Sequence, residues 1–216
     1  MKTFFSTLTA LSALLLILSG FGPVGPADNI LQDSKEKLES LNDLAADFTY
    51  SISSPAIKNP IAKKGAFKYK DGMYVVEMSE QDIYCDSKTL WIHLKDEEAP
   101  EVTIMDYDPE EGMNIEAIFK LYEASAQSLL EGEETIHGVA CHKIKLAIKD
   151  SKLEYNQARL WVNKKTKLLE KVSVTNRRQS TTTYEFSGIK TNSGFNTTTF
   201  QFDVSRFPGI DVYDER

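Results

Sequence analysis

The histidines and cysteines are the side chains of this sequence best suited to metal binding or nucleophilic chemistry. His137, Cys141 and His142 lie close together in the chain, and Cys85 is the second thiol. Their spacing does not match structural zinc sites, and His142 shares one side of its predicted strand with the apolar Ile144. The chain also lacks H-E-x-x-H, C-x-x-C, G-x-S-x-G and phosphate-binding glycine motifs. We therefore expect a protein that is not an enzyme, without catalytic residues, metal ion or cofactor.

The two cysteines are predicted to remain unbridged. Cys85 follows the alternation of Ile83, whereas Cys141 is out of step with Ile144. Strands that meander in sequence order would separate the two thiols by several strand spacings of about 4.8 Å. Because a disulfide needs Cα atoms within about 7 Å, we expect two free thiols.

The charge balance excludes one large class of partners. The chain has 25 basic and 32 acidic residues, a net charge of −7, and no Lys/Arg-rich run. Such a chain has no phosphate-binding surface for nucleic acid, and it is not attracted electrostatically to anionic lipid. Any contact with lipid must therefore be apolar.

The elements that position the apolar side chains are mostly strands. The stretch CDSKTLWIHL places Leu90, Ile92 and Leu94 on one side and Trp91 and His93 on the other. This period of two recurs often enough to predict about ten or eleven antiparallel strands, which enclose more volume than their own side chains fill. Either helices plug that volume or a ligand enters it.

Two helices are predicted beside the strands. The first spans 28–48, with an apolar stripe of Leu31, Leu38, Leu41, Ala45 and Phe48 and a cap at Asp28 or Asn29. The second is inserted between strands from Asn114 to about Leu130. Its apolar face comprises Ile115, Ile118, Phe119 and Tyr122.

The N-terminus has the layout of a secretory signal peptide. Lys2 is followed by an apolar run over Leu11–Leu18, which is short for a membrane span, and by small residues at Gly25 and Ala27. We expect a signal peptide over 1–27, cleavage before Asp28 and a single exported domain over 28–216, without stable membrane insertion.

Several segments in a fixed order resemble one protein family. After the signal peptide and helix come DFTYSI, GAFKYKDGMYVVEM, IYCDSKTLWIHL, EVTIMDYDPEEGMNIEAIFKLYE and the terminal FQFDVSRFPGIDVYDER. Together they resemble a divergent branch of the LolA family, the periplasmic carriers of outer-membrane lipoproteins. The resemblance covers essentially the whole mature chain.

The resemblance implies both an architecture and a role. The fold would be mainly β with α: an incomplete, half-open antiparallel barrel whose open side is covered by lid helices. The protein would be a monomer in the periplasm that takes acylated lipoproteins from an inner-membrane release transporter, shields their acyl chains and delivers them to an outer-membrane acceptor. The inserted helix would then act as a mobile cover.

The period-two alternation predicts which side chains line the acyl-chain cavity. They are Phe48, Tyr50, Phe67, Tyr69, Tyr74, Val76, Met78, Ile83, Leu90, Ile92, Leu94, Leu146, Leu160 and Val172.

One departure from the family pattern leaves the details of function open. Well-studied members carry an arginine that is thought to hold the lid, whereas the matching stretch here begins with Lys70, which lacks the planar fork of donors. Two alternatives to the carrier therefore remain: a binding module for another amphiphile, such as a glycolipid or pigment, and a sensor of envelope lipoproteins.

Overall fold

The computed structural model describes residues 25–58, 61–108, 121–122, 125–149 and 153–216. Its regular elements are one α-helix, α1 (Pro26–Glu39), and twelve strands. The strands are β1 (Leu44–Ser53), β2 (Ile61–Lys70), β3 (Met73–Met78), β4 (Gln81–Cys85), β5 (Thr89–Leu94), β6 (Glu101–Asp106), β7 (Ser125–Ile136), β8 (Val139–Ile148), β9 (Tyr155–Asn163), β10 (Leu169–Asn176), β11 (Thr181–Thr191) and β12 (Asp211–Asp214).

All twelve strands form one open sheet, which confirms the predicted half-open barrel with slightly more strands than expected. Their order is β12-β6-β5-β4-β3-β2-β1-β11-β10-β9-β8-β7, and every pair is antiparallel except β12 with β6. Tight turns explain the antiparallel neighbours. At the β2–β3 hairpin, Asp71 and Gly72 adopt φ angles of 48° and 80°, the left-handed geometry of a two-residue turn.

The strands follow sequence order within each half of the sheet but not across the whole sheet. The chain runs from β1 to β6 at one side, continues at β7 on the opposite edge, and returns through β11, which pairs with β1. Cys85 on β4 and Cys141 on β8 are therefore separated by six intervening strands. Both thiols are buried and free, as predicted.

Helix α1 is shorter than predicted and begins earlier. Its N-cap is Gly25, whose N–H donates to the Asp28 carboxylate at 2.8 Å, so Asp28 is the third residue of the helix and caps it from the first turn. The helix ends at Ser40, whose hydroxyl donates to the Lys37 carbonyl. Ala45 and Phe48, predicted on the helix, lie on β1, because that segment pairs with both β2 and β11.

The inserted helix was predicted to extend too far. Leu121 and Tyr122 are helical, and β7 begins at Ser125 and pairs with β8, so residues 125–130 are strand. Cross-strand pairing overrides the helical spacing there. Ile115, Ile118 and Phe119 lie outside the described residues.

The sheet carries apolar side chains on both faces. The face that α1 contacts is called the inner face, and it holds the largest core cluster, which includes Leu31 of α1 and Leu160 of β9. The opposite, outer face of β4–β6 is covered by the C-terminal segment 192–210, through Phe202, Phe207 and Ile210. Short 3-10 helices at Thr197–Phe200 and Val204–Arg206 shape that segment.

Asp43 fixes the beginning of this C-terminal segment. Its buried carboxylate accepts hydrogen bonds from the backbone N–H groups of Ser193, Gly194 and Phe195 at 2.6, 2.8 and 3.2 Å. Lys70 donates to the Phe195 carbonyl. In this structure Lys70 therefore holds the C-terminal segment.

Candidate functional site

The inner face of strands β1–β5 and β11 carries a continuous apolar surface, which we call the aromatic floor. Four of its side chains are buried: Phe48, Tyr74, Val76 and Cys85. The others are partly buried: Tyr50, Phe67, Tyr69, Met78, Ile83, Leu90, Tyr107, Tyr184 and Phe186. The floor thus brings together nine residues that the sequence predicted for the cavity, from Phe48 through Leu90.

Strand register places the rings of the floor against one another. Phe48 lies opposite Gly65, where an added Cβ would come within 2.6 Å of the Phe48 ring and of the Glu77 carbonyl oxygen. Glycine therefore lets the ring lie across β2. Phe67 meets Phe186 edge-on with ring centroids 5.8 Å apart, an arrangement favoured by the aromatic quadrupole.

The other half of the inner face is aliphatic and already filled. Leu146, Leu160 and Val172, predicted for the cavity, are 0%, 0% and 3% exposed in the cluster that also contains Ala27 and Leu31 of α1. In this conformation they form the protein core beneath the helix. The open part of the predicted cavity is therefore the aromatic floor.

Ile92 and Leu94 extend from the floor toward one end of the sheet. Both occupy the inner side of β5, but neither joins the floor cluster, and Leu94 is 37% exposed. Ile61 on β2 is 50% exposed and pairs with Ile52. These side chains give the inner face an apolar margin where its strands end.

Of the four predicted lid residues, only Tyr122 lies within the described residues. It packs against the core cluster of α1, and its hydroxyl donates to Asp28 at 3.4 Å. The Ser128 hydroxyl on β7 donates to the same carboxylate. Asp28 therefore ties α1 both to Tyr122 and to strand β7.

Trp91 and His93 point away from the floor, as predicted, but they do not face solvent. Trp91 packs against the outer-face cluster, and His93 is 5% exposed and lies against the rings of Phe202 and Phe207, with centroids 5.0 and 4.7 Å away. Alternation along β5 could not reveal this second covered face. The signal was the phenylalanine-rich stretch FQFDVSRF near the C-terminus.

Sequence reasoning also left three aromatic residues out of the site. Tyr184 and Phe186 complete the floor because β11 pairs with β1, a long-range pairing that no local pattern encodes. Tyr107 follows β6 and meets Tyr74 at 6.1 Å between ring centroids. All three were visible only as apolar residues on predicted strands or loops.

Neither cysteine thiol is activated by its surroundings. Burial raises the pKa of Cys85, and burial followed by the Glu170 charge raises that of Cys141 to about 11, so both thiols stay protonated at neutral pH. Cys141 also lies on the outer face of β8, whereas His142 lies on the same, inner side of the strand as Ile144. The two side chains therefore point to opposite faces of the sheet. Among the described residues, no three His, Cys, Asp or Glu side chains cluster as metal ligands.

A polar groove of about 840 Å³ opens near the other edge of the sheet, away from the floor. Its lining includes Glu131, Glu134, Lys143, Arg159 and Trp161. The charges are paired, with Lys143 2.9 Å from Glu134 and Arg159 2.9 Å from Glu131. The groove therefore does not offer the apolar surface that the predicted site requires.

Comparison with solved structures identifies the fold. The chain matches an uncharacterized conserved protein from Thermus thermophilus with 10% identity and a TM-score of 0.57, covering 88% of this chain and 100% of that one. It matches lipoprotein LppX from Mycobacterium tuberculosis with 12% identity and a TM-score of 0.51, covering 78% and 96%. It also matches LprF from Mycobacterium bovis with 12% identity and a TM-score of 0.51, covering 82% of this chain and 98% of that one.

Comparison at the sequence level identifies the family. No curated protein sequence matches the chain significantly. Within the described residues, no helix is long and apolar enough to cross a bilayer. The profile of the family described as outer membrane lipoprotein carrier protein LolA matches residues 39–203, most of the chain and all strands from β1 to β11. The chain belongs to the LolA family.

Proposed function

We propose that the protein is a periplasmic carrier that shelters the acyl chains of lipoproteins on the aromatic floor during transfer from the inner to the outer membrane. One observation carries this proposal. Helix α1 fills the aliphatic half of the inner face, whereas most of the floor's apolar side chains remain partly exposed. A continuous apolar surface of this kind marks a binding site more often than a defect in packing.

The energetics of acyl chains agree with such a surface. Each methylene removed from water contributes about 0.8 kcal/mol, so a bare acyl chain cannot cross an aqueous compartment at useful concentration. A carrier must also release its cargo, so its surface should resemble the membrane interior in apolarity. Aromatic rings and the adaptable Met78 provide such a surface without a fixed shape.

The proposal also names compartment and partners. Residues 1–27 act as a signal peptide, and the exported protein works as a monomer between an inner-membrane release transporter and an outer-membrane acceptor. One detail of the processing site needs testing: cleavage before Asp28 would remove Ala27, which is 2% exposed in the core. The mass of the exported protein will identify the bond that is cut.

The experiment that tests the proposal is native mass spectrometry of the protein purified from an envelope fraction, paired with two variants. We expect co-purifying lipidated protein with the wild type and at least a tenfold loss of it with Phe67→Asn, which puts an amide on the floor. Lys68→Asn is the matched control, because Lys68 lies on the outer face of the same strand and forms an ion pair with Glu77 there. A wild type that carries no lipidated protein or lipid would contradict the proposal.

A second candidate function is a carrier for another amphiphile. Two observations favour it: the floor is rich in tyrosine hydroxyls, and Lys70 holds the C-terminal segment where the family arginine would be expected to hold the lid. Free glycolipid or acylated small molecule in the same mass spectra, without lipidated protein, would identify this alternative.

A further inference from the structure

Three tyrosines lie where the aromatic floor meets the aliphatic half of the inner face. Tyr50 and Tyr184 are cross-strand partners on β1 and β11, with ring centroids 5.3 Å apart. Tyr155 at the start of β9 packs against the aliphatic cluster and influences the ionisation of Tyr184. We call these three residues the tyrosine row.

The hydroxyl groups of this row are available to a ligand. Among the residues that the structure describes, none of the three hydroxyls has a hydrogen-bond partner in the protein, and none is sealed from solvent. The side chains themselves are half-buried. By contrast, the Tyr122 hydroxyl is engaged with Asp28.

The surroundings of Tyr184 favour its neutral form, in which the hydroxyl is a donor. Burial, followed by the nearby Tyr50 and Tyr155 phenols, raises the pKa of Tyr184, so its hydroxyl stays protonated at physiological pH. Lys63 lies opposite Tyr50, but its ammonium is 3.2 Å from the Glu80 carboxylate. Because that cation is already paired, the row is better matched to a neutral acceptor than to a carboxylate.

We propose that the tyrosine row recognises the ester carbonyls of a diacyl moiety whose hydrocarbon chains lie on the aromatic floor. This inference rests on the proposed function and adds a specificity determinant to it. A hydrocarbon chain has no acceptor for a phenol O–H, whereas an acyl ester places carbonyl oxygens where its chains begin. A site with polar groups beside an apolar surface discriminates against analogues that lack the matching group, because its donors then lose their partners.

The test compares two lipids that differ only in their carbonyls. Purified wild-type protein is loaded with a naphthalene-sulfonate fluorophore, which is displaced with dioleoylglycerol or with its dioleyl ether analogue. Two neutral hydrogen bonds correspond to about a tenfold preference for the ester. We expect that preference in the wild type, a reduced preference in Tyr184→Phe, and none in the Tyr50→Phe/Tyr155→Phe/Tyr184→Phe triple variant. Unfolding midpoints verify that each variant is folded.

The control variant is Tyr84→Phe, which removes a phenol hydroxyl from the outer-face cluster and should keep the full preference. Equal displacement by ester and ether in the wild type, or an undiminished preference in the triple variant, would overturn the role of the row. Stronger displacement by oleate than by either neutral lipid would overturn the choice of an ester. Failure of the wild type to bind the fluorophore and every lipid would instead contradict the proposed function itself.

Discussion

At the residue scale, Asp43 is a charged group with several direct hydrogen bonds to the backbone. Three consecutive N–H groups, from Ser193 to Phe195, converge on its carboxylate. Its burial alone would raise the pKa, but these hydrogen bonds and the Lys70 charge outweigh burial and lower it. This one side chain thus joins the connection between α1 and β1 to the loop that follows β11.

The lowered pKa of Asp43 predicts how stability depends on pH. A carboxyl whose folded pKa lies below its unfolded value of about 3.9 stabilises the fold above that value and loses its contribution as the pH falls through the folded pKa. Asp43→Asn should therefore lower the urea midpoint at pH 7. Between pH 5 and 2, the variant should lose less stability than the wild type.

The matched control is Asp47→Asn, at an exposed position on the neighbouring strand β1. Its urea midpoint should match that of the wild type at pH 7 and between pH 5 and 2. Identical acid profiles for the wild type and Asp43→Asn would show that the three N–H groups do not depend on the charge of this carboxylate.

At the element scale, the C-terminal segment is part of the core. Its ring pair Phe202 and Phe207 stacks at 4.9 Å between centroids and covers His93, while β12 adds a parallel strand beside β6. The segment therefore closes the outer face of β4–β6, just as α1 closes the aliphatic half of the inner face.

Removing one of these rings should destabilise the whole domain. Phe202 is 7% exposed, so Phe202→Ala should lower the free energy of unfolding by about 3–5 kcal/mol, as expected for a large buried aromatic. Urea unfolding measures the change. Tyr213→Ala, at a 50% exposed position near the same terminus, should stay within about 0.5 kcal/mol of the wild type. A loss below about 1 kcal/mol for Phe202→Ala would mean that the segment is only loosely attached.

At the scale of the whole molecule, the inner face is divided between two roles. The strands β7–β10 with α1 form a packed aliphatic core, and β1–β5 with β11 present the aromatic floor. One buried free thiol, Cys85, lies in the floor, and the other, Cys141, lies on the outer face of β8, behind the aliphatic half. The labelling rate of each cysteine can therefore report local opening in its own part of the sheet.

The division of roles predicts unequal protection of these thiols by a ligand. Labelling of a buried thiol requires local opening. Dioleoylglycerol on the floor should therefore slow the labelling of Cys85 by a maleimide at least severalfold more than that of Cys141, as measured by peptide mass spectrometry. Cys85→Ser and Cys141→Ser verify the assignment of each site. Equal slowing at both positions would indicate general stabilisation without a specific site on the floor.

The sequence by itself determined the fold class, which side chains of each strand share a face of the sheet, and most residues of the floor. Leu90 lies on the inner side and Trp91 on the outer side because alternation follows directly from the geometry of an extended chain. The hairpin at Asp71-Gly72 followed from local turn chemistry in the same way. The order of motifs such as DSKTLW and FPGIDVYD pointed to the family that the sequence profile confirms.

Only the tertiary structure decided which apolar faces are covered and by what. Pairing of β1 with β11 brings Tyr184 and Phe186 to the floor, α1 converts Leu146 and Leu160 into core, and Phe202 covers the outer face. The beginnings of β1 at Leu44 and of β7 at Ser125 were also set by strand pairing. These outcomes depend on contacts between distant segments, and a local pattern of apolar residues records that a face is buried without recording its partner.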